Sequence, residues 1–266
     1  ADIGTDHGFL PIELAGSGRV PVAFACDKRA RPLEQTRVNI ENAKVTDRVE
    51  ARLGDGLAPV QGERLGTVTI AGMGSPAIHR ILRGKGDCDI RRFVLAPNDD
   101  AVALRQALFT LKLWLDDERI VEDDGRFYPV LVASERDPSG AQERWSPTRA
   151  DLLLGAPLHH GGPNVRPWLQ ARATHLATRL GATAGRPPPA ETTQMLEDLD
   201  ILRAFYSVRS APPPCPDQTG AQNAGLKGSD HARRRLPLWR RLYLAGRGRR
   251  RARKHRAPGG QIQSLL

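Results

Sequence analysis

The chain has 266 residues, which is enough for one large domain or two modest domains with hydrophobic cores. It contains no apolar run of about 18 residues and no visible signal peptide, which argues against a membrane span and favours a cytoplasmic protein. Three widely spaced cysteines, Cys26, Cys88 and Cys215, favour a reducing compartment and form no metal-ligand motif, so we expect no bound metal.

The net charge of +10 is concentrated at the end of the chain. Residues 226–266 hold thirteen Lys and Arg and one acidic residue, a charge of +12, whereas residues 1–225 together carry −2. Binding to RNA therefore cannot be inferred from the charge of the main body and would need local patches. One such basic cluster follows the fourth predicted strand and consists of Arg80, Arg83, Lys85, Arg91 and Arg92. The alternative for this cluster is an ordinary solvated helix face and loop.

The first eleven residues predict a turn from a buried strand into a helix. Gly4 and Gly8 allow a tight bend and close approach of a ligand. The following helix would direct free N–H groups and its positive dipole end at the turn, which suits a nucleotide-like ligand. A P-loop ending and the full dinucleotide fingerprint are both absent. The remaining spacing, from Asp2 through Gly4 to Gly8, is the one that class I methyltransferases use to bind S-adenosylmethionine, although other α/β ligand loops share it.

Two further acidic residues follow predicted parallel strands. Residues 22–26 predict a second strand that ends at Asp27, where doubly wound folds bind a ribose. Asp27 is alternatively a cap for the helix predicted over 28–43, and the two roles are compatible. Residues 49–53 predict a third strand before Asp55 and Gly56. A carboxylate there would suit the amino edge of an adenine, and the alternative is a plain β-turn.

The remaining elements complete an α/β pattern. Residues 68–71 predict a fourth strand, and the bare backbone that follows it, Gly72-Met73-Gly74, is where a transferred methyl group would lie. A helix over 76–83, a fifth strand over 92–96 and a helix over 99–111 come next. Residues 114–121 and 127–134, joined by turn residues, predict an antiparallel hairpin. The fold class is therefore a Rossmann-like, doubly wound, mostly parallel sheet with an antiparallel edge.

Five segments follow one another in an order that is typical of one family: ADIGTDHGFLPI, AFACDKRARPLEQTRVNIE, VEARLGDGL, VTIAGMGSPAI and VLAPN. Over about residues 1–210 the chain resembles the bacterial tRNA (adenine-22-N1)-methyltransferases, and the strings TDHG and AGMG are its most restrictive features. The resemblance implies S-adenosylmethionine as cofactor and tRNA as substrate. Because this family has more sequence before the first strand, we expect the chain to be a fragment. The Pro-Pro-aromatic motif of enzymes that act on exocyclic amines is absent, which fits attack by a ring nitrogen.

The resemblance also implies which residues form the site. The residues expected to bind the cofactor lie in the strand-end turns and are Asp2, Gly4, Thr5, His7, Gly8, Asp27, Lys28, Asp55, Gly56, Ala71, Gly72, Met73 and Gly74. Methylation of adenine N1 produces a cation, so we expect the carboxylate of Asp6 to stabilise it; the alternative is that Asp6 caps the following helix. Asn98 is the second catalytic candidate, through a hydrogen bond to the target base.

The second half of the chain predicts helices and a tail. Residues 166–180 and 191–206 carry apolar residues at helical spacing, so we expect two helices that pair antiparallel or, alternatively, cap the core. We expect a catalytic domain over 1–136, a helical hairpin domain over 150–210, and a Pro-rich linker with a basic, disordered and non-essential tail over 211–266. The alternative for the tail is that its arginines add phosphate contacts to RNA. The expected protein is a monomeric tRNA-binding enzyme. The alternatives are a methyltransferase that acts on a small molecule or protein, and an inactive RNA-binding fragment.

Overall fold

The structure is a computed structural model that describes residues 1–135, 147–155, 163–182 and 189–208. These residues fall into two compact units that divide between Trp168 and Leu169, and each unit is described by itself. The predicted Pro-rich linker and basic tail over 211–266 lie outside the described residues.

A seven-stranded sheet forms the centre of the first unit. The strands in chain order are β1 (Asp2–Ile3), β2 (Ala23–Asp27), β3 (Val49–Leu53), β4 (Arg64–Leu65), β5 (Val68–Met73), β6 (Asp89–Ile90), β7 (Phe93–Pro97), β8 (Trp114–Asp123) and β9 (Arg126–Ser134). The order across the main sheet is β3-β2-β1-β5-β7-β9-β8, and β4 pairs with β6 in a separate two-stranded sheet. The first five strands of the main sheet pair in parallel, and β9 is antiparallel to both of its neighbours. The predicted fold class is therefore confirmed.

Seven α-helices accompany the strands in the described part of the chain: α1 (Phe9–Gly16), α2 (Ala30–Ala43), α3 (Ser75–Arg83), α4 (Val102–Thr110), α5 (Arg149–Leu154), α6 (Val165–Ala182) and α7 (Pro189–Val208). A short 3-10 helix spans Ala58–Val60. None of the helices in the described ranges has both the length and the apolar character that crossing a membrane requires.

Helices cover both faces of the parallel sheet. On one face α3 and α4 pack their apolar side chains, such as Ile78 and Leu104, against Ile70 and Leu95 of the central strands. On the other face the residues that pack together include Ile12 of α1 and Ile40 of α2, with partners in β2 and β3. Burial on both faces explains why the parallel strands are almost continuous apolar runs in the sequence. Each fully buried aliphatic side chain contributes about 1.5–3 kcal/mol to folding.

The antiparallel hairpin is longer than the sequence predicted. The two strands continue to Asp123 and from Arg126, so that only Asp124 and Gly125 form the turn. Both turn residues have positive φ, 53° and 75° respectively. This conformation is typical of the two-residue hairpin turns that favour Asp-Gly, which explains why the turn chemistry was visible in the sequence.

The predicted helix over 99–111 begins later than expected, at Val102. The carboxylates of Asp99 and Asp100 accept hydrogen bonds from the backbone N–H groups of Ala101 at 3.1 Å and Val102 at 3.2 Å. Side chains that bind nearby backbone in this way compete with helix formation. Ala101 then takes a left-handed conformation with φ of 63°, and the helix starts after it.

The predicted helices of the second half are present as α6 and α7, which are three and four residues longer than expected. Of the apolar residues at helical spacing, Met195, Leu199 and Leu202 on α7 and Leu169 on α6 are buried. These are positions that the helical spacing of apolar residues selected. By contrast, α5 packs against α4 within the first unit, and the domain boundaries assigned from the sequence remain a prediction.

Candidate active site

The carboxyl ends of the first three parallel strands meet at one edge of the sheet. The N–H groups of Gly4 and Thr5 donate to the carbonyl oxygen of Cys26 at 2.8 and 3.0 Å, which joins the ends of β1 and β2. The N–H of Gly54 donates to the carbonyl oxygen of Asp27 at 3.0 Å, which joins the ends of β2 and β3. The predicted glycine turn, Asp27 and the turn after β3 are thus neighbours along this edge, where ligands bind in open α/β sheets.

The turn between β1 and α1 has a backbone that requires glycine. Gly4 and Gly8 have φ of 76° and 73°, in the left-handed region. A Cβ atom on Gly4 would overlap the Cε atom of Met73, whose side chain covers this glycine. Gly8 is the N-cap residue of α1, and no side chain caps this helix, so Asp6 does not have the capping role considered as its alternative. Asp6 instead occupies a left-handed conformation of its own, with φ of 55°.

Two side chains of helix α2 bind the backbone of this turn. The Thr36 hydroxyl donates to the carbonyl oxygen of Asp6 at 3.1 Å, and the Asn39 side-chain amide donates to the carbonyl oxygen of His7 at 2.8 Å. A Cβ atom on Gly8 would lie 2.6 Å from the Thr36 methyl group, so the helix and the turn are in close contact. Sequence reasoning missed Thr36 and Asn39; the only available signal was two polar residues three positions apart on an amphipathic helix.

A cluster of charges lies beside the turn. The buried carboxylate of Asp27 accepts hydrogen bonds from the backbone N–H of Arg29 at 2.8 Å and from its guanidinium at 3.3 and 3.5 Å. The same guanidinium is 3.6 Å from the carboxylate of Asp6, whose other oxygen lies 3.5 Å from Nε2 of His7. Arg29, which sequence reasoning missed, is the N-cap residue of α2, so Asp27 precedes the cap position. The carboxylate of Asp27 raises the pKa of Arg29 through these hydrogen bonds.

One buried polar atom in the turn, Nδ1 of His7, has no hydrogen-bond partner among the described residues. Thr5 is adjacent to a further buried group, Asp2, whose carboxylate accepts a 2.6 Å hydrogen bond from Thr69. Burial raises the pKa of Asp2, and hydrogen bonds from Thr69 and Thr5 oppose that shift. Because buried polar atoms nearly always have partners, a polar ligand seated on this turn would complete the arrangement.

The end of β5, which continues through Met73 rather than stopping at residue 71 as predicted, is joined to the end of β7. The backbone N–H of Asn98 donates to the carbonyl oxygen of Met73 at 2.9 Å, and its side-chain amide is 3.5 Å from the carbonyl oxygen of Gly72. Gly72 has φ of 73°, which bends the backbone away from the strand. The exposed Asn98 thus lies against the glycine-rich segment, as the strand order requires.

The other predicted binding residues lie at the same strand ends. Lys28 and Asp55 are exposed, whereas Gly56, with φ of 57°, and Ala71 are half-buried. The roles of all these residues toward a cofactor remain predictions. Within the described ranges, no group of three or more His, Cys, Asp or Glu residues is placed to hold a metal ion.

Comparison with known proteins agrees with this geometry. A family model described as a methyltransferase domain matches residues 1–131. The tRNA (adenine(22)-N(1))-methyltransferase of Bacillus subtilis is 34% identical over 157 residues, which cover 58% of this chain and 66%, just under two thirds, of that enzyme.

Solved structures extend the similarity into the second unit. The crystal structure of the Bacillus subtilis m1A22 tRNA methyltransferase matches with a TM-score of 0.65 at 28% identity, covering 77% of this chain and 90% of that one. A candidate tRNA (m1A22) methyltransferase from Streptococcus pneumoniae, solved in complex with S-adenosyl-L-methionine, matches with a TM-score of 0.66 at 26% identity and the same coverage. The glycine turn, the strand order and these relatives make the chain similar in sequence and fold to the bacterial tRNA (adenine-22-N1)-methyltransferases.

Proposed function

We propose that the chain is an S-adenosylmethionine-dependent methyltransferase that methylates N1 of an adenine in tRNA, at position 22. The observation that carries the proposal is the glycine turn with the unpartnered Nδ1 atom of His7, placed beside Asp27 at the strand ends. The names of the relatives supply the substrate: the Bacillus subtilis enzyme acts on adenine 22 of tRNA.

The residues of the sheet edge suit the parts of this cofactor. Asp27 keeps one carboxylate oxygen that is only weakly bonded to Arg29, at 3.5 Å, and this oxygen is suited to ribose hydroxyls. The turn from Gly4 to Gly8 offers backbone N–H groups, the Thr5 hydroxyl and the unpartnered Nδ1 atom of His7 to the methionine half. Asp55 accepts from the adenine amino group. When bound, the cofactor supplies a methyl group on a sulfonium ion, and the protein supplies alignment and electrostatics.

Two residues act on the target base in this proposal. Adenine N1 is neutral before methylation and becomes part of a cation afterward, so a nearby carboxylate stabilises the product-like charge. Asp6 has a side chain that is 60% exposed beside the cofactor turn, and it is also suited to take a proton from the exocyclic amine. Asn98 holds the base edge by a hydrogen bond. The base must leave its stacked position in the tRNA to reach these groups.

The tRNA body needs contacts outside the catalytic edge. Arg80 and Arg83 lie exposed on α3, which begins directly after the glycine-rich segment, and Arg91 is exposed before β7. Arginine side chains of this kind bind phosphates in a manner that weakens with salt. We place the enzyme in the cytoplasm with its tRNA substrate, acting as a monomer with a catalytic domain and a helical domain.

Incubating the full chain with tRNA and labelled S-adenosylmethionine, followed by nucleoside analysis, tests the proposal. We expect label in 1-methyladenosine, and loss of that label on a transcript in which adenine 22 is replaced. Label in another nucleoside, or tRNA binding without any methylation, would refute the proposed activity. Methylation that persists on the altered transcript would refute the assigned position alone.

The Asp27→Ala variant tests the assigned ribose contact. Hydrogen bonds to a charged group contribute about 1.5–3 kcal/mol, so affinity for S-adenosylhomocysteine should fall by about 10- to 100-fold. Isothermal titration calorimetry measures this affinity directly and requires no tRNA. The matched control is Asp47→Ala, which removes a carboxylate that is 74% exposed and paired with Arg48. Equal affinities for Asp27→Ala and the parent protein would remove Asp27 from the cofactor site.

A further inference from the structure

Asp99, immediately after Asn98, binds the loop on the neighbouring strand. One of its carboxylate oxygens accepts the backbone N–H of Ser75 at 2.6 Å, and the other accepts the Ser75 hydroxyl. The second oxygen also accepts the N–H of Ala101 at 3.1 Å. A single carboxylate therefore ties the start of α3 to the start of α4, across 24 residues of sequence.

The contact with Asp99 takes the place of an N-cap side chain at the start of α3. The N-cap residue of α3 is Gly74, which has no side chain to bind the first N–H groups of the helix. Asp99 supplies that acceptor from outside the helix, and its negative charge is favourable at a helix N-terminus. Ser75 is 1% exposed whereas Asp99 is exposed, so the Ser75 end of this contact is shielded from water.

The contact between Asp99 and Ser75 adds to the hydrogen bonds that join residues 98–99 to residues 72–75. Asn98 binds the carbonyl oxygens of Gly72 and Met73, and Asp99 binds Ser75. Together these two residues contact three of the four residues from 72 to 75. The spacing between Asn98 and the glycine-rich backbone is therefore held by one backbone hydrogen bond, by the Asn98 amide and by the Asp99 carboxylate, although the backbone in this segment contains two glycines.

We propose that Asp99 is a positioning residue for methyl transfer, which fixes Asn98 relative to the Gly72–Gly74 backbone. This inference rests on the proposed function, in which the backbone segment lies beside the methyl group and Asn98 binds the target adenine. Asp99 does not touch either reactant. It sets the distance between the two surfaces that hold them, and small errors in that distance lower the rate strongly.

The test uses Asp99→Asn in the full chain. The amide NH2 group can donate to the Ser75 hydroxyl but cannot accept, so the backbone N–H of either Ser75 or Ala101 loses its acceptor. The oxygen that remains is neutral and a weaker acceptor than a carboxylate. We expect kcat for tRNA methylation to fall by about 10- to 100-fold, while the affinity for S-adenosylhomocysteine stays within about threefold of the parent value. Ser75→Ala removes only the hydrogen bond from the hydroxyl to Asp99 and should give a smaller loss of kcat. If the pair acts as a unit, the Asp99→Asn and Ser75→Ala losses will not multiply in the double variant.

The control is Asp100→Asn, since Asp100 is the exposed neighbour that binds the start of α4 rather than α3. Its kcat should equal that of the parent protein. A second measurement is amide hydrogen exchange, in which Asp99→Asn should speed exchange at Ser75 and leave Ile70 unchanged. An unchanged kcat in Asp99→Asn overturns the positioning role. If the parent protein is itself inactive, the proposed function fails instead, and unchanged exchange at Ser75 would then show that Asp99 does not hold the loop.

Discussion

Replacing Asp6 by asparagine is expected to lower methyl transfer to tRNA by about 100- to 1000-fold, the usual cost of removing one electrostatic contact to a transition state. The variant keeps the size of the side chain and loses its negative charge and its capacity to take a proton. Affinity for S-adenosylhomocysteine should change little, because Asp6 is assigned to the target base rather than to the cofactor. Turnover under saturating tRNA and calorimetric cofactor binding give the two values separately.

The backbone at Asp6 makes asparagine a better choice than alanine. Asp6 has φ of 55°, and asparagine tolerates this left-handed conformation whereas most other residues are strained in it. The chain provides a matched control, because Asp124 has φ of 53° in the hairpin turn between β8 and β9. Asp124→Asn makes the same chemical change in the same conformation and should leave turnover unaltered. Full turnover in Asp6→Asn would assign the carboxylate to the structure of the turn.

The parallel sheet was predictable because its signals are local. Central strands such as Val68–Met73 and Phe93–Pro97 are largely buried and therefore mostly apolar in sequence. The strand-end residues of a parallel sheet must meet at one edge, so Gly4 and Asp27 were placed together correctly from sequence order alone. The pair of strands β4 and β6 was missed, since two residues each give no periodicity.

The contacts that hold the site loops could not be predicted, because they join residues far apart in sequence. Asn39 binds the carbonyl oxygen of His7 from a position 32 residues away. A polar residue on a helix is compatible with many partners and with solvent, so its type carries no information about which loop it holds. The late start of α4 has a similar origin, since the carboxylates of Asp99 and Asp100 bind backbone that the apolar pattern assigned to the helix.

A buried ion pair is a second long-range contact that the sequence did not predict. Arg105 lies on α4 among residues that the apolar pattern placed on one face, yet its side chain is fully buried, and arginine is rarely buried without a partner. Its guanidinium binds the equally buried carboxylate of Glu118 on β8 and donates to the carbonyl oxygens of Leu152 and Leu153 at the end of α5. Neither partner is indicated by the sequence around Arg105.

Removing one member of this pair should produce the largest loss of stability in the chain. Glu118→Ala leaves the charge of Arg105 buried without its partner, which costs about 3–5 kcal/mol. For a domain of this size each kcal/mol lowers the Tm by about 2–4 °C, so we expect a decrease of about 10 °C. The control is Asp89→Ala, which breaks an ion pair with Arg64 whose side chains are 69% and 91% exposed. Exposed pairs contribute about 0–1 kcal/mol, so this variant should keep nearly the parent Tm.

The double variant Arg105→Met/Glu118→Leu separates the ion pair from the hydrogen bonds that Arg105 donates to the end of α5. Apolar residues of similar volume often replace a buried pair without loss, so most of the Tm should return. The carbonyl oxygens of Leu152 and Leu153 would nevertheless lose their donor, and Gly155 packs directly over the pair, where a Cβ atom would overlap Glu118. We therefore expect faster amide exchange in α5 in the double variant even where the Tm recovers. Parent-like amide exchange in α5, or a Glu118→Ala variant with an unchanged Tm, would show that the ion pair does not hold α5 in place in the first unit.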